Sequence, residues 1–146
     1  TPGAPVRPMV SAAPVFACEV ETAAPLAASF AAGSPQAIAR QPSFVDGIGA
    51  GAVLAEMWPL ACALLAGSCV VSLADIADAI RALVSRARVV AEGAGAASLA
   101  VALGAGHPIA RSGTPVELPG GPLVCVVSGG NIDVAKLSEI LAGRMP

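Results

Sequence analysis

The sequence predicts an α/β fold, a largely parallel sheet flanked by helices, on three observations. Short apolar runs ("VFACEV" at 15–20, "CVV" at 69–71, "RVVAE" at 88–92, "LVCVV" at 123–127) alternate with stretches of helical patterning, as they do in parallel sheets with helical crossovers. "LVCVV" is apolar at every position, and a strand without alternation is one buried on both faces. Glycine-rich turns, "DGIGAG", "EGAGAAS" and "SGGNID", punctuate the chain where apolar runs meet helical ones.

Taken in order, "VFACEV" reads as a strand, and Glu21 to Gly33 as helical beyond Pro25, with Gly33 as its stop. A polar loop through Pro35 and Pro42 leads to "FVDGIGAGA", and a helix is expected over much of Val53 to Ala66, ended by Gly67. Cys69 to Val71 is strand-like. Ser72 then caps a helix, with Asp75 three residues on in a capping box. Leu73, Ile76, Ile80, Leu83 and Val84 make its apolar face, which leaves Asp78, Arg81 and Arg86 to solvent. Arg88 to Glu92 is expected to be extended, with a helix beginning near Gly93. Gly104 to Gly121 is loop by composition, dense in Gly and Pro. After "LVCVV", a last helix puts Val134, Leu137, Ile140 and Leu141 on one face. No internal repeat is visible.

At 146 residues the chain is one domain or part of one. A net charge of −2, with no basic cluster, gives no footprint for nucleic acid or an anionic membrane. Met57 to Ala74 is uncharged, but Pro59 and the pair Gly67-Ser68 divide it into helix, turn and strand, so no membrane span is expected. Four cysteines without CxxC spacing read as buried thiols of a cytoplasmic protein. Only 12% of residues are charged and 55% are hydrophobic, so either coding bias or a surface meant to be covered is at work. Residues 1–14, "TPGAPVRPMVSAAP", are too proline-rich for a signal peptide and stand apart as an atypical N-terminal segment before a unit at 15–146.

Two of the glycine turns invite a chemical reading. "EGAGAAS" approaches a dinucleotide fingerprint, but the acid required about 20 positions on falls at Glu117, inside a Gly/Pro loop. "SGGNID" alone could be a strand-to-helix turn, with Asn131 near the cap and Asp133 on the helix dipole.

Together, "VDGIGA", "WPL", "CVVSLADI", "VVAEGAGAASLA" and "LVCVVSGGNID" resemble, in this order, the C-terminal part of the pyridoxal-phosphate-dependent serine/threonine dehydratase and serine racemase family, over about Val15 to Leu141. "VVSGGNID" is the most specific piece. The resemblance implies part of a fold type II large domain and pyridoxal 5'-phosphate as cofactor. It places Ser128 against the pyridine nitrogen, Gly129 and Gly130 where the backbone approaches the ring, Gly47 of Asp46-Gly47 in the loop beside it, and Glu92 near it. A hydroxyl facing that nitrogen leaves it largely unprotonated, a milder electron sink suited to α-proton removal and β-elimination.

The resemblance also implies a divalent-cation site, with Glu19 as carboxylate ligand and Ala23 as carbonyl ligand. The second carboxylate position falls on Pro25, which offers no side-chain oxygen to a hard cation. The family's Schiff-base lysine in a Ser-x-Lys-x-Arg setting and its phosphate-cradling glycine loop have no counterpart among these residues. Lys136, the only lysine, is expected to be a solvated ion pair with Asp133 and Glu139, and His107 stands alone in its loop. No catalytic residue is therefore assigned.

The expectation is a C-terminal fragment, inactive alone, of an ammonia-lyase that converts serine or threonine to a 2-oxo acid and ammonia. Its partners would be an amino-acid substrate and either a second copy or the missing N-terminal half. A non-catalytic pseudoenzyme or binding module is the alternative, and a dinucleotide-binding module the more remote one.

Overall fold

The computed structural model describes residues 13–146 other than 105, 111 and 119, so the proline-rich segment expected at 1–14 lies almost wholly outside the described residues. Strand β1 (Phe16–Val20) is followed by helices α1 (Pro25–Ala32) and α2 (Trp58–Leu64) and strand β2 (Gly67–Val71). Helix α3 (Leu73–Ala82) runs into a π-helical turn (Leu83–Ala87), and α4 (Gly93–Ala102), β3 (His107–Ala110) and α5 (Val134–Leu141) complete the order. The sheet order is β1-β2-β3. As predicted, β1 and β2 are parallel, in register from Phe16↔Gly67 to Val20↔Val71; β3 adds to β2 antiparallel, with Cys69 opposite Pro108.

Helix α1 starts with proline at its first turn and is closed by Gly33 in the left-handed conformation at φ 70°, the stop expected from sequence. The capping box of α3 forms as predicted: Ser72 Oγ accepts from Asp75 N at 3.1 Å and Ser72 N donates to Asp75 Oδ2 at 3.3 Å. Leu73 N also donates to Glu21 Oε1 at 2.8 Å, tying the start of α3 to the end of β1. Replacing Ser72 by Ala is expected to cost about 1 kcal/mol and roughly 4 °C in Tm, read by thermal unfolding.

The core lies where α3 and α4 pack on each other and on the sheet. Ile76, Ile80 and Ile140 are fully buried, with Val20, Cys69 and Val71 beneath them. The facing positions of α3 and α4 are small: Ala77, Ala79, Ala96, Ala97 and Ala100 are all buried, which lets the two helix backbones approach closely. Burial, with Cys18 beside it, pushes the Cys69 thiol up to about 11, an unreactive structural thiol. No described helix is long and apolar enough to cross a membrane.

Several expectations are corrected. Gly67 opens β2 instead of ending a helix, and the helix expected over Val53–Ala66 shortens to Trp58–Leu64, none of whose residues is buried. Residues 88–92 are not a strand: the π-helical turn ends at Arg88, in the left-handed conformation at φ 59°, and the chain leaves it irregularly. The Gly/Pro loop holds a strand after all, β3, and its Pro108 is tolerated because an edge strand need not donate on its outer side. Arg81 is not simply solvated; its Nη1 donates to Ile140 O at 3.0 Å and joins α3 to α5.

The largest correction concerns "LVCVV". Residues 123–127 form no strand, and Val124 and Val126 are 93% and 73% exposed. A strand needs a neighbour to hydrogen-bond, and no described strand pairs with this segment. It is tied to α4 by Ser98 Oγ donating to Val126 O at 2.9 Å and Cys125 Sγ to Ser98 O at 3.4 Å. Likewise only Ile140 of the apolar face of α5 is fully buried, while Val134 and Leu141 are exposed.

Candidate functional site

Three segments distant in sequence converge at the N-terminus of α4. They are the loop around Asp46-Gly47, the turn Glu92–Gly95 that opens α4, and residues 128–133 leading into α5. Glu92 N donates to Gly129 O at 3.2 Å, joining the second to the third.

Glycine is required at two of these contacts by close approach. A Cβ on Gly95 would lie 2.3 Å from Ser128 O and 2.8 Å from Gly129 O, so the backbone of 128–129 rests directly on the helix. Gly129 has φ 70°, and a Cβ there would meet Glu92 Oε1 at 2.3 Å. Gly47 is similarly close: its Cβ would lie 3.2 Å from Glu92 Oε1 and 3.0 Å from Ala94 Cβ. The Glu92 carboxylate therefore sits between Gly47 and Gly129. Although Glu92 is the residue preceding α4, its side chain makes no capping bond, so the acid is not there to satisfy the helix.

The four residues expected around a cofactor ring, Gly47, Glu92, Ser128 and Gly129, are thus neighbours. Ser128 is exposed and its hydroxyl makes no hydrogen bond to any described residue. A free hydroxyl beside a half-buried carboxylate that is seated between two glycines suits a flat heteroaromatic ring with a nitrogen acceptor, to which the serine would donate. The residues fit the group.

Two clefts flank this point and share Asp46. One, about 420 Å³, lies toward Glu19, Ala23 and Pro25; the other, about 340 Å³, lies toward Glu92, Asn131 and Lys136. Lys136 pairs with neither Asp133 nor Glu139 but with Asp46, Nζ to Oδ2 at 3.3 Å. Asp133 is instead the N-cap of α5, accepting from Ala135 N at 2.7 Å. Glu139 is taken by Arg144, whose guanidinium holds the carboxyl below its usual range chiefly by hydrogen bonding.

Glu19 is buried, and its carboxylate faces protein donors. Leu26 N reaches Oε1 at 2.8 Å, while Ala27 N at 2.8 Å and Ser68 Oγ at 2.7 Å both reach Oε2. Ala23 is also buried, donating its amide to Val20 O at 2.8 Å. Among the described residues no group of three or more His, Cys, Asp and Glu side chains is placed to hold a metal ion.

Sequence reasoning missed Gly95, Ser98 and Ser68. Gly95 was visible within "EGAGAAS", but as part of a dinucleotide fingerprint. That fingerprint needs a strand before the glycines, and residues 88–92 are not one; Gly93 packs against Val45, and Gly95 against Ser128.

A family model described as "Pyridoxal-phosphate dependent enzyme" matches residues 4–129, which takes in Glu19, Gly47, Glu92, Ser128 and Gly129. An L-threonine ammonia-lyase of Thermotoga maritima is 30% identical over 127 residues, 87% of this chain and 29% of that protein. A putative threonine dehydratase of Sinorhizobium fredii is 32% identical over 142 residues, 96% of this chain and 40% of that protein. The chain thus spans well under half the length of these curated relatives. Maize serine racemase superposes with a TM-score of 0.58 at 30% identity, over 62% of this chain and 28% of that one. A pyridoxal 5'-phosphate-dependent aspartate racemase, at 24% identity, shares the fold with a TM-score of 0.65 over 85% of this chain and 37% of its own.

Proposed function

Because this chain belongs to the family of pyridoxal-phosphate dependent enzymes, we propose that it carries the ring-binding side of an amino-acid dehydratase, an ammonia-lyase that takes serine or threonine to a 2-oxo acid and ammonia. The relatives named for threonine favour that substrate class. The observation that carries the reading is the convergence of Gly47 and Gly129 on the Glu92 carboxylate, with the Ser128 hydroxyl free beside them.

Pyridoxal phosphate supplies an electron sink for the pair released when the substrate's α-proton leaves. The chain's part is to bind and orient that ring. Ser128 offers its hydroxyl to the pyridine nitrogen as a neutral partner, which does not hold a proton there as a carboxylate would. Gly129 and Gly47 make room for the Glu92 carboxylate between them, which would hold that acid beside the ring.

Lys136, the chain's only lysine, is engaged by Asp46 in an exposed ion pair at 3.3 Å, and an amine held there is not set against the ring as the Schiff-base nucleophile this chemistry needs. The 146 residues alone therefore bind the cofactor weakly and release no ammonia. The test is an amide chemical-shift titration of the chain with pyridoxal phosphate, alongside an ammonia assay on serine and threonine. Shifts concentrated at Gly47, Glu92, Ser128 and Gly129, without ammonia, are expected. Shifts confined elsewhere overturn the site, and ammonia release overturns the inactivity.

A further inference from the structure

We infer that Glu19 closes the β1–α1 turn as an internal helix cap and that this chain takes up no divalent cation there, in contrast to what its family resemblance implies. Helix α1 begins without a capping side chain of its own: Ala24 stands at the cap and Pro25 follows. The next two amides, of Leu26 and Ala27, need an acceptor, and each finds one oxygen of Glu19 at 2.8 Å. Oε2 also accepts from Ser68 Oγ at 2.7 Å, and Ser68 is fully buried on the neighbouring strand β2.

Three donors thus converge on one carboxylate. A hard cation binding Glu19 would compete with them and would sit against the positive end of α1. Pro25, on the wall of the same cleft, offers no side-chain oxygen to complete a coordination shell. The cap does what a cation would otherwise do: it fixes the turn containing Ala23, against which Gly49 of the Asp46–Ala50 loop packs, since a Cβ on Gly49 would lie 3.1 Å from that of Ala23.

The test is thermal unfolding of the whole chain in chelator, then with Mg²⁺ or Ca²⁺ in millimolar excess. An ion held only by the native state raises Tm with its concentration; here the wild-type Tm is expected to be the same in all three conditions. Glu19→Gln turns a donor toward helix amides and is expected to lower Tm by roughly 5–10 °C in each condition. Ser68→Ala removes the third donor and lowers it less, which keeps the test open if the glutamine variant does not fold. A wild-type Tm that climbs and saturates with either cation, or an unchanged Tm in both variants, overturns the inference.

Discussion

Gly95→Val is expected to lower Tm by roughly 10 °C, a cost of about 3 kcal/mol, because overpacking against atoms that cannot move is dearer than any helix-propensity gain. In a helix interior, adding a Cβ to glycine ordinarily gains about 0.5–1 kcal/mol. Here the added atom would meet the carbonyl oxygens of Ser128 and Gly129 at 2.3 and 2.8 Å. These are backbone atoms, with no rotamer to escape into, so segment 128–129 has to lift off α4. Gly95→Ala tests the balance with a smaller side chain and is expected to fall between wild type and valine. A thermal unfolding series over Gly, Ala and Val measures it; a rise in Tm with alanine would mean the approach is looser than the distances state.

Gly129→Ala is expected to cost about 2 kcal/mol, roughly 6 °C, for a different reason: an L-residue held at positive φ loses about 1–2 kcal/mol whatever the space around it. The second part of its cost is contact with Glu92 Oε1 at 2.3 Å, the tip of a side chain that can swing aside. The two parts separate in a double-mutant cycle. Glu92→Ala in the Gly129→Ala background should relieve the contact and leave the backbone strain, giving a coupling of about 0.5–1 kcal/mol. Additive effects would show that Glu92 does not lie over Gly129. The same variants report on the proposed cofactor site, since Gly129→Ala displaces the carboxylate from Gly47 and Glu92→Ala removes it.

What the sequence disclosed was largely what neighbouring residues decide among themselves. The capping box at Ser72 and Asp75, the start of α1 at Pro25 with its stop at Gly33, and the opening of α4 at Gly93 all depend on a few adjacent positions, and all were legible. The pairing of β1 with β2 also followed, because two apolar runs separated by helices have few other solutions. Partners that arise only on folding were not legible. Lys136 was assigned neighbours three residues away, yet its carboxylate lies 90 positions upstream, at Asp46. "LVCVV" has the composition of a buried strand, but composition records only a capacity for burial, and no described strand pairs with it. β3 was hidden for the opposite reason: proline argues against a central strand and says nothing against an edge.

The candidate site shows the same division. Ser128, Gly129, Gly47 and Glu92 were singled out by resemblance, and the structure places them next to one another. Why Gly95 must be glycine was invisible, since its reason is a carbonyl 33 positions on (128 − 95). Glu19 was noticed for its charge at a strand end. That its oxygens face the amides of a helix starting six residues later (25 − 19) is a fact of the turn, not of the spelling.

The uncovered run at Leu123–Val127 has a practical consequence for anyone handling this chain in solution. Five uncharged, β-prone residues without proline, two of them valines largely open to water, make a template on which identical molecules can stack through their backbones. Such stacking would grow with concentration, so light scattering is expected to rise steeply as the chain is concentrated.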